Sequence, residues 1–385
     1  MKVTMLGTGA YGLALSISLA KNKGNEITMW TERPGLLEDF KQTHRIDKVF
    51  EGLEIPENIS LTTSFEEALK DSNLIFIGCA AKYVESVCKS IKPYYNNSIP
   101  ICIASKGIED QTCSFLSDLV GKTLNTPNIA VLSGPTFAID IVNGDPIALT
   151  LAGSNFRTTN LIENNLACDK LKLRTTNDLI GVQVCGSVKN IIAIASGMVK
   201  GLGYSESTIS FLINESLLEI RHLIDKLGGD KKTILSYAGV GDLILTCTST
   251  KSRNYSFGYL VGSTKDEAKK NEYLNKTTVE GYYALSSFYK LAHQNNISVP
   301  IIDIIHDIII DGDDPNKLTK YLVEKVHNTD EDLKDYHKLS TINKDNSNPY
   351  YYSYTAQDTP LEFSYTDVIL DTNNTIQRAK KKNSF

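Results

Sequence analysis

A chain of 385 residues is too long for one ordinary core and implies about two domains. With 41% hydrophobic and 22% charged residues and a net charge of −5, it reads as a globular protein with no reason to bind nucleic acid or an anionic membrane. Seven cysteines without a CxxC pair, no leader pattern, and no apolar run of about 18 residues point to a reducing, cytoplasmic setting without membrane insertion.

Lys2 to Leu6 reads as a strand and stops at Gly7-Thr8-Gly9-Ala10-Tyr11-Gly12. A helical pattern follows through Leu13, Leu15, Ile17 and Leu19, and Glu26 to Trp30 reads as a second strand. Gly7 permits a tight turn, Gly9 lets the backbone approach a pyrophosphate, and Gly12 lets helix and strand pack closely. Free N–H groups at the helix start then face the phosphates. A glycine-rich turn can also bind nothing, but the strand–turn–helix context favours a dinucleotide. Glu32, just past the second strand, suits the ribose hydroxyls of NAD, while its neighbour Arg33 keeps NADP as the second choice.

Strands are then expected over 74–80, 100–105, 129–133 and 146–152, with a helix over 83–91. Such alternation predicts an α/β fold with a mostly parallel sheet and helices on both faces. Ligands of such sheets bind at the carboxyl ends of strands, where Lys106 and Gly134-Pro135-Thr136 fall. Taken alone, Lys106 reads as a solvated loop lysine.

From about Gly181 the strand signal stops, and 181–200, 206–227, 281–295 and 300–310 read as helices. Lys189 is the only charged residue between Asp178 and Lys200. On a helix its neighbours one turn away are Cys185, Gly186, Ile192 and Ala193, none able to pair with an ammonium. It must therefore find a distant partner, lose its proton or reach a wet cavity, unless it snorkels to solvent. Asp242, between glycines and an uncharged run, is either a helix cap or a site residue. Ser252-Arg253-Asn254 offers a forked donor and two neutral ones to an oxyanion, although such a triplet is also an ordinary surface loop. From about Asn328 the composition turns to Asn, Asp, Tyr, Thr and Lys, as in a solvated tail.

Several segments occur together: Gly7-Thr-Gly-Ala-Tyr-Gly-Leu-Ala-Leu, Ser105-Lys106-Gly107-Ile-Glu, Ser133-Gly-Pro-Thr-Phe-Ala138, Gly186-Ser-Val-Lys189-Asn190, Gly239-Val-Gly-Asp242-Leu-Ile-Leu-Thr-Cys, and Ser252-Arg253-Asn254, followed by Val279-Glu280-Gly281. In this order, over roughly residues 1–325, the chain resembles the soluble NAD(P)-dependent glycerol-3-phosphate dehydrogenases. The resemblance implies a Rossmann domain over 1–180 and an all-α substrate domain over 181–327, and the composition alone sets off a polar extension over 328–385. It implies reversible hydride transfer between NAD(H), or NADP(H), and the pair dihydroxyacetone phosphate and sn-glycerol 3-phosphate, no metal, and a homodimer.

By the same resemblance Lys189 is the catalytic lysine with Asp242 beside it. Lys106, Gly134, Thr136, Asp242, Ser252, Arg253 and Asn254 match substrate positions. Gly7, Gly9, Ala10, Tyr11, Gly12, Glu32, Lys106, Ala138, Arg253 and Glu280 match cofactor positions. The chain departs from the family pattern at Ser207 and Glu215, where asparagine and arginine are usual, and at Cys79-Ala80-Ala81. A nucleotide-binding homologue without catalysis, or a dehydrogenase of another hydroxy compound, stands as the alternative.

Overall fold

The structure, a computed structural model, describes residues 1–324. The expected extension over 328–385, and the boundary before it, lie outside the described residues. The first part alternates: β1 (Lys2–Leu6), α1 (Ala10–Ala20), β2 (Glu26–Trp30), α2 (Pro34–Thr43), β3 (Ile59–Thr62), α3 (Phe65–Leu69), β4 (Leu74–Ile77), α4 (Ala81–Ile91), β5 (Ile101–Ile103), α5 (Leu116–Leu124), β6 (Ile129–Ser133), α6 (Ala138–Asn143), β7 (Ile147–Gly153), α7 (Phe156–Leu166) and β8 (Leu171–Thr176). Helices then follow one another: α8 (Leu179–Gly201), α9 (Glu206–Lys226), α10 (Asp242–Thr248), α11 (Arg253–Ser263), α12 (Glu267–Lys276), α13 (Glu280–Gln294), α14 (Pro300–Ile309) and α15 (Asn316–Val323).

The eight strands form one sheet in the order β3-β2-β1-β4-β5-β6-β7-β8. Every pair is parallel except β6–β7, so the mostly parallel sheet carries one reversal. The two strands absent from the sequence reading, β3 and β8, are the sheet edges. Exposed residues interrupt both, and the continuous apolar run that marks a central strand is missing. Gly7 has φ +122° and packs against the backbone of Gly78 and Cys79, so only glycine fits the turn after β1. Gly12 lies directly under the Gly7 carbonyl and brings α1 close to β1.

Val3, Met5, Leu13, Ile17, Leu132 and Leu149 belong to one apolar core. A second core joins Ile75, Ile77, Ile103 and Val131 of the sheet to Val184, Val188 and Ile191 of α8 and to Leu285, Phe288 and Ile305 beyond it. Helix α8 is the spine of this second core, and every residue from Gly181 to Val199 is buried. Among the described residues it is the one helix long and apolar enough to cross a membrane, and 89% of its apolar window is buried inside the protein. Asp178 caps it by accepting from the Gly181 N–H at 2.9 Å.

Against α8 lies α11, in backbone contact through Gly197 and Gly201 on one helix and Gly258 and Gly262 on the other. A β-carbon on Gly258 would overlap the Ile194 carbonyl, and one on Gly262 would overlap that of Met198. The carboxyl end of the sheet, the middle of α8 and the first turn of α11 thereby meet around one cleft.

Candidate functional site

Lys189 sits halfway along α8, with its side chain 7% exposed. It does not snorkel. Its Nζ pairs with Asp242 Oδ1 and donates to Thr246 Oγ1 at 3.0 Å. Asp242 is the first residue of α10, but its side chain does not cap that helix. Its second oxygen, Oδ2, accepts from Lys106 Nζ at 3.3 Å. One buried carboxylate therefore lies between two ammonium groups, and the cluster keeps one net positive charge if all three are ionised.

The two lysines experience this cluster differently. Burial lowers the Lys189 pKa, Asp242 resists, Lys106 adds to the lowering, and the outcome is about 8. Burial also works against the Lys106 ammonium, but attraction to Asp242, Tyr11 and Glu280 outweighs it and holds its pKa above the usual lysine value. Lys106 is thus a fixed cation, and Lys189 a group able to give and take a proton near neutrality.

Ser252 is the N-cap of α11 and accepts from the Tyr255 N–H at 3.2 Å. Arg253 follows at the helix start with half of its side chain exposed, its guanidinium 3.9 Å from Glu280. Asn254 is held from both ends. It donates to Asn190 Oδ1 at 2.9 Å and accepts from the Gly281 N–H at 2.8 Å. Asn190 in turn donates to Glu280 Oε2 at 3.0 Å. This chain of side-chain amides ties α8, α11 and the first turn of α13 together. The sequence reading did not single out Asn190 or Thr246. Thr246 is one helical turn after Asp242, and Asn190 adjoins Lys189, so spacing around those two residues was the available signal.

These groups line a cavity of about 600 Å³ that also includes Gly9, Ala10, Tyr11, Thr136 and Ala138. A second cavity of about 470 Å³, lined by Gly7, Thr8, Glu32, Arg33 and Trp30, shares Gly9, Gly78, Cys79 and Ala80 with the first. The structure therefore places most of the sequence-selected residues along one continuous cleft. Gly12 and Gly134 are not in its wall. Gly12 packs beneath Gly7, and Gly134 packs against Ala148 and Leu149. Ser207 is exposed and Glu215 half-buried, and neither lines either cavity. The departures at these two positions thus leave the cleft wall unaltered. A larger groove of about 1080 Å³ lies beside the residues that precede β4 and β5, but the lysine–carboxylate cluster is not in it.

The cleft suits a dinucleotide. No atom lies within 4 Å of a β-carbon position on Gly9, and no side chain caps α1, so its first N–H groups are open to an anion. At the far end Arg33 Nη2 donates to Thr8 Oγ1 at 3.3 Å, beside the stacked rings of Trp30 and Phe65 at 4.1 Å. Glu32 is exposed there, two residues beyond β2.

The chain is similar to known proteins along nearly all of its described length. Sequence profiles described as NAD-dependent glycerol-3-phosphate dehydrogenase N-terminus and C-terminus match residues 2–159 and 178–320. Glycerol-3-phosphate dehydrogenase [NAD(P)+] of Clostridium botulinum is 36% identical over 314 residues, 82% of this chain and 94% of the relative. The protein of the same name from Staphylococcus carnosus is 33% identical over 311 residues, 80% of this chain and 93% of the relative. Among solved structures, glycerol-3-phosphate dehydrogenase from Coxiella burnetii superposes with a TM-score of 0.79 at 28% identity, covering 84% of this chain and 99% of that one.

Proposed function

The chain belongs to the NAD-dependent glycerol-3-phosphate dehydrogenase family, and from that premise we propose that it interconverts dihydroxyacetone phosphate and sn-glycerol 3-phosphate with NAD(H) or NADP(H). The observation that carries this reading is the buried carboxylate of Asp242 held between Lys189 and Lys106, on the wall of a cleft that also contains an open glycine turn and the start of α11.

The nicotinamide, when bound, supplies or receives the hydride. The chain does the rest. The open N–H groups of Gly9 and of Ala10 at the start of α1 would hold the pyrophosphate. Ala138 and Glu280 line the same cavity as Lys189 and would border the nicotinamide. Ser252, Arg253 and the α11 N-terminus receive the substrate phosphate, and Asn254 keeps that turn in register with α8. Lys189 faces the carbonyl oxygen. As negative charge develops there, the ammonium stabilises it and donates its proton. In the reverse direction neutral Lys189 takes the proton from the secondary hydroxyl. Asp242 and Thr246 fix the position of Nζ, and Lys106 adds positive charge without giving up its proton.

Glu32 supports a preference for NAD, and we divide the chain into a cofactor part over 1–180 and a substrate part over 181–327. We further place the protein in the cytoplasm as a homodimer, and sedimentation of the full chain tests the dimer.

The decisive assay is NADH oxidation with dihydroxyacetone phosphate, run in parallel with NADPH. Turnover is expected, and Lys189→Ala should lower kcat by about 10³-fold while NADH still binds. A folded protein that binds NADH but reduces none of this substrate with either cofactor would defeat the proposal. An active Lys189→Ala variant would remove Lys189 from the proton step.

A further inference from the structure

Asp242 gives one oxygen to each lysine, so the placement of its backbone decides both contacts. Helix α10 begins at Asp242, and its N-cap, Gly241, has no side chain with which to hold that end. The segment before it is the turn Tyr237–Gly241, wider than an α-helical turn and kinked at Gly239 (φ −85°, ψ −112°). A β-carbon on Gly239 would overlap the Ile234 carbonyl, so this turn is folded tightly on the chain before it. Widened turns of this kind recur at functional sites. The first N–H groups of a helical turn have no partner within it and must find acceptors elsewhere. The Gly239 N–H donates to Ser236 Oγ at 3.3 Å, and the Ala238 N–H donates to Thr150 Oγ1 of β7 at 3.2 Å, 88 residues away. Thr150 and Ala238 are both buried. On the other side, the Arg174 guanidinium of β8 lies 4.8 Å from the centre of the Tyr237 ring.

The reversed strand makes this contact. β7 runs antiparallel to β6, and Thr150 stands opposite Ser133, the last residue of β6. The Thr150 hydroxyl is thus at the carboxyl end of the sheet, where α/β proteins bind their ligands. We propose that Thr150, together with Ser236, is a positioning residue of the reaction: its hydroxyl oxygen holds the Tyr237–Gly241 turn against β7 and so fixes the Asp242 carboxylate between Lys189 and Lys106. This rests on the reaction proposed above, in which Asp242 sets the position of Lys189 Nζ. Thr150 is in the wall of neither cavity of the cleft and acts through the turn. The charged groups acting on Lys189 are Asp242, which raises its proton affinity, and Lys106, which lowers it. A turn released from β7 lets Asp242 move away from Lys189, so the ammonium then loses its proton at lower pH.

The test is the titration of Lys189 in the full chain, followed through the carbon-13 resonance of its Cε, which Lys189→Ala identifies by its loss. Valine has the shape of threonine and suits a buried strand, but it cannot accept from the Ala238 N–H. In Thr150→Val the titration should move down by about one pH unit. In the same variant kcat for dihydroxyacetone phosphate should fall about ten-fold, with the Kd for NADH unchanged. Thr150→Ser keeps the acceptor and should restore both readings. Ser236→Ala removes the second acceptor of the turn, should shift the titration in the same direction, and decides the matter if the valine variant does not fold. An unmoved or raised titration in folded Thr150→Val would overturn the assignment, as would a valine-like shift in Thr150→Ser. The titration needs no substrate. A wild type inactive on dihydroxyacetone phosphate therefore defeats the proposed reaction and not the placement of Asp242, whereas an unmoved titration defeats the placement and not the reaction.

Discussion

Lys189 illustrates how distant residues set the proton affinity of a single buried side chain. Its helix neighbours supply no partner, so its charge depends on residues far along the chain: Asp242 is 53 residues away and Thr246 is 57. With burial first and Lys106 next, its pKa falls to about 8, against the restoring pull of Asp242. Reduction of the carbonyl needs the ammonium, which is present below that value and lost above it. The rate of reduction should therefore decline as pH rises through about 8, and the rate of oxidation should rise over the same interval. Asp242→Asn removes the group that raises the Lys189 pKa, so both breakpoints should move to lower pH. Profiles of kcat in each direction check this, and an unmoved or raised breakpoint would contradict it. At this scale the isolation of Lys189 was legible in the sequence. The bridging role of Asp242 was not, because an acid near glycines reads equally well as a cap. The Asn190–Asn254–Glu280 chain was also hidden, since its links span 64 and 90 residues.

At the scale of elements, the distance between Lys189 and the Ser252–Arg253 turn is set by α8 and α11, which touch through glycine backbone at Gly197, Gly201, Gly258 and Gly262. Each helix carries its pair of glycines four residues apart, a visible signal that the sequence reading passed over. Gly258→Ala must push α11 off α8, because the new carbon would overlap the Ile194 carbonyl. Destabilisation of about 3 kcal/mol or more is expected. The displacement should also lower kcat/KM about 100-fold by moving Ser252 and Arg253 away from Lys189. A urea midpoint and a kcat/KM both equal to wild type would show that this contact does not set the spacing. A second inter-element device is Glu219 of α9, buried, which accepts from the Ile301 and Ile302 N–H groups at 2.7 and 3.0 Å at the start of α14. Burial pushes its pKa up to about 8 despite those two bonds. A folded-state pKa above the ordinary carboxylate value means that the folded protein holds a proton the unfolded chain has released. The stability contributed here is therefore greatest below the ordinary value of about 4.3 and declines as pH rises towards 8. Glu219→Gln should flatten that slope in urea unfolding compared across this range, and an unchanged slope would assign it to other groups.

Over the whole molecule, the alternation of strands and helices up to residue 176 and the succession of helices after it were legible, because central parallel strands and core helices bury nearly every residue. The edge strands β3 and β8 were not, since exposed residues interrupt both. The end of the strands at residue 176 also gives no hint of how the sheet and the later helices share their interior. One apolar core runs without interruption from Ile75, Ile103 and Val131 of the sheet, through Val184 and Val188 of α8, to Leu285 and Ile305. Helix α8 faces both parts, so neither can lose its packing without exposing the apolar surface of the other. The described residues should consequently unfold in one cooperative step rather than part by part. The sequence allows a clean test, because its single tryptophan, Trp30, reports on the sheet, whereas far-UV ellipticity is dominated by the long helices that follow residue 178. Urea curves followed by the two signals should share one midpoint and one slope, and saturating NADH should move both to higher urea together. If the tryptophan signal shifts with NADH while the ellipticity midpoint stays in place, the two parts unfold independently and the continuous core around α8 does not couple them.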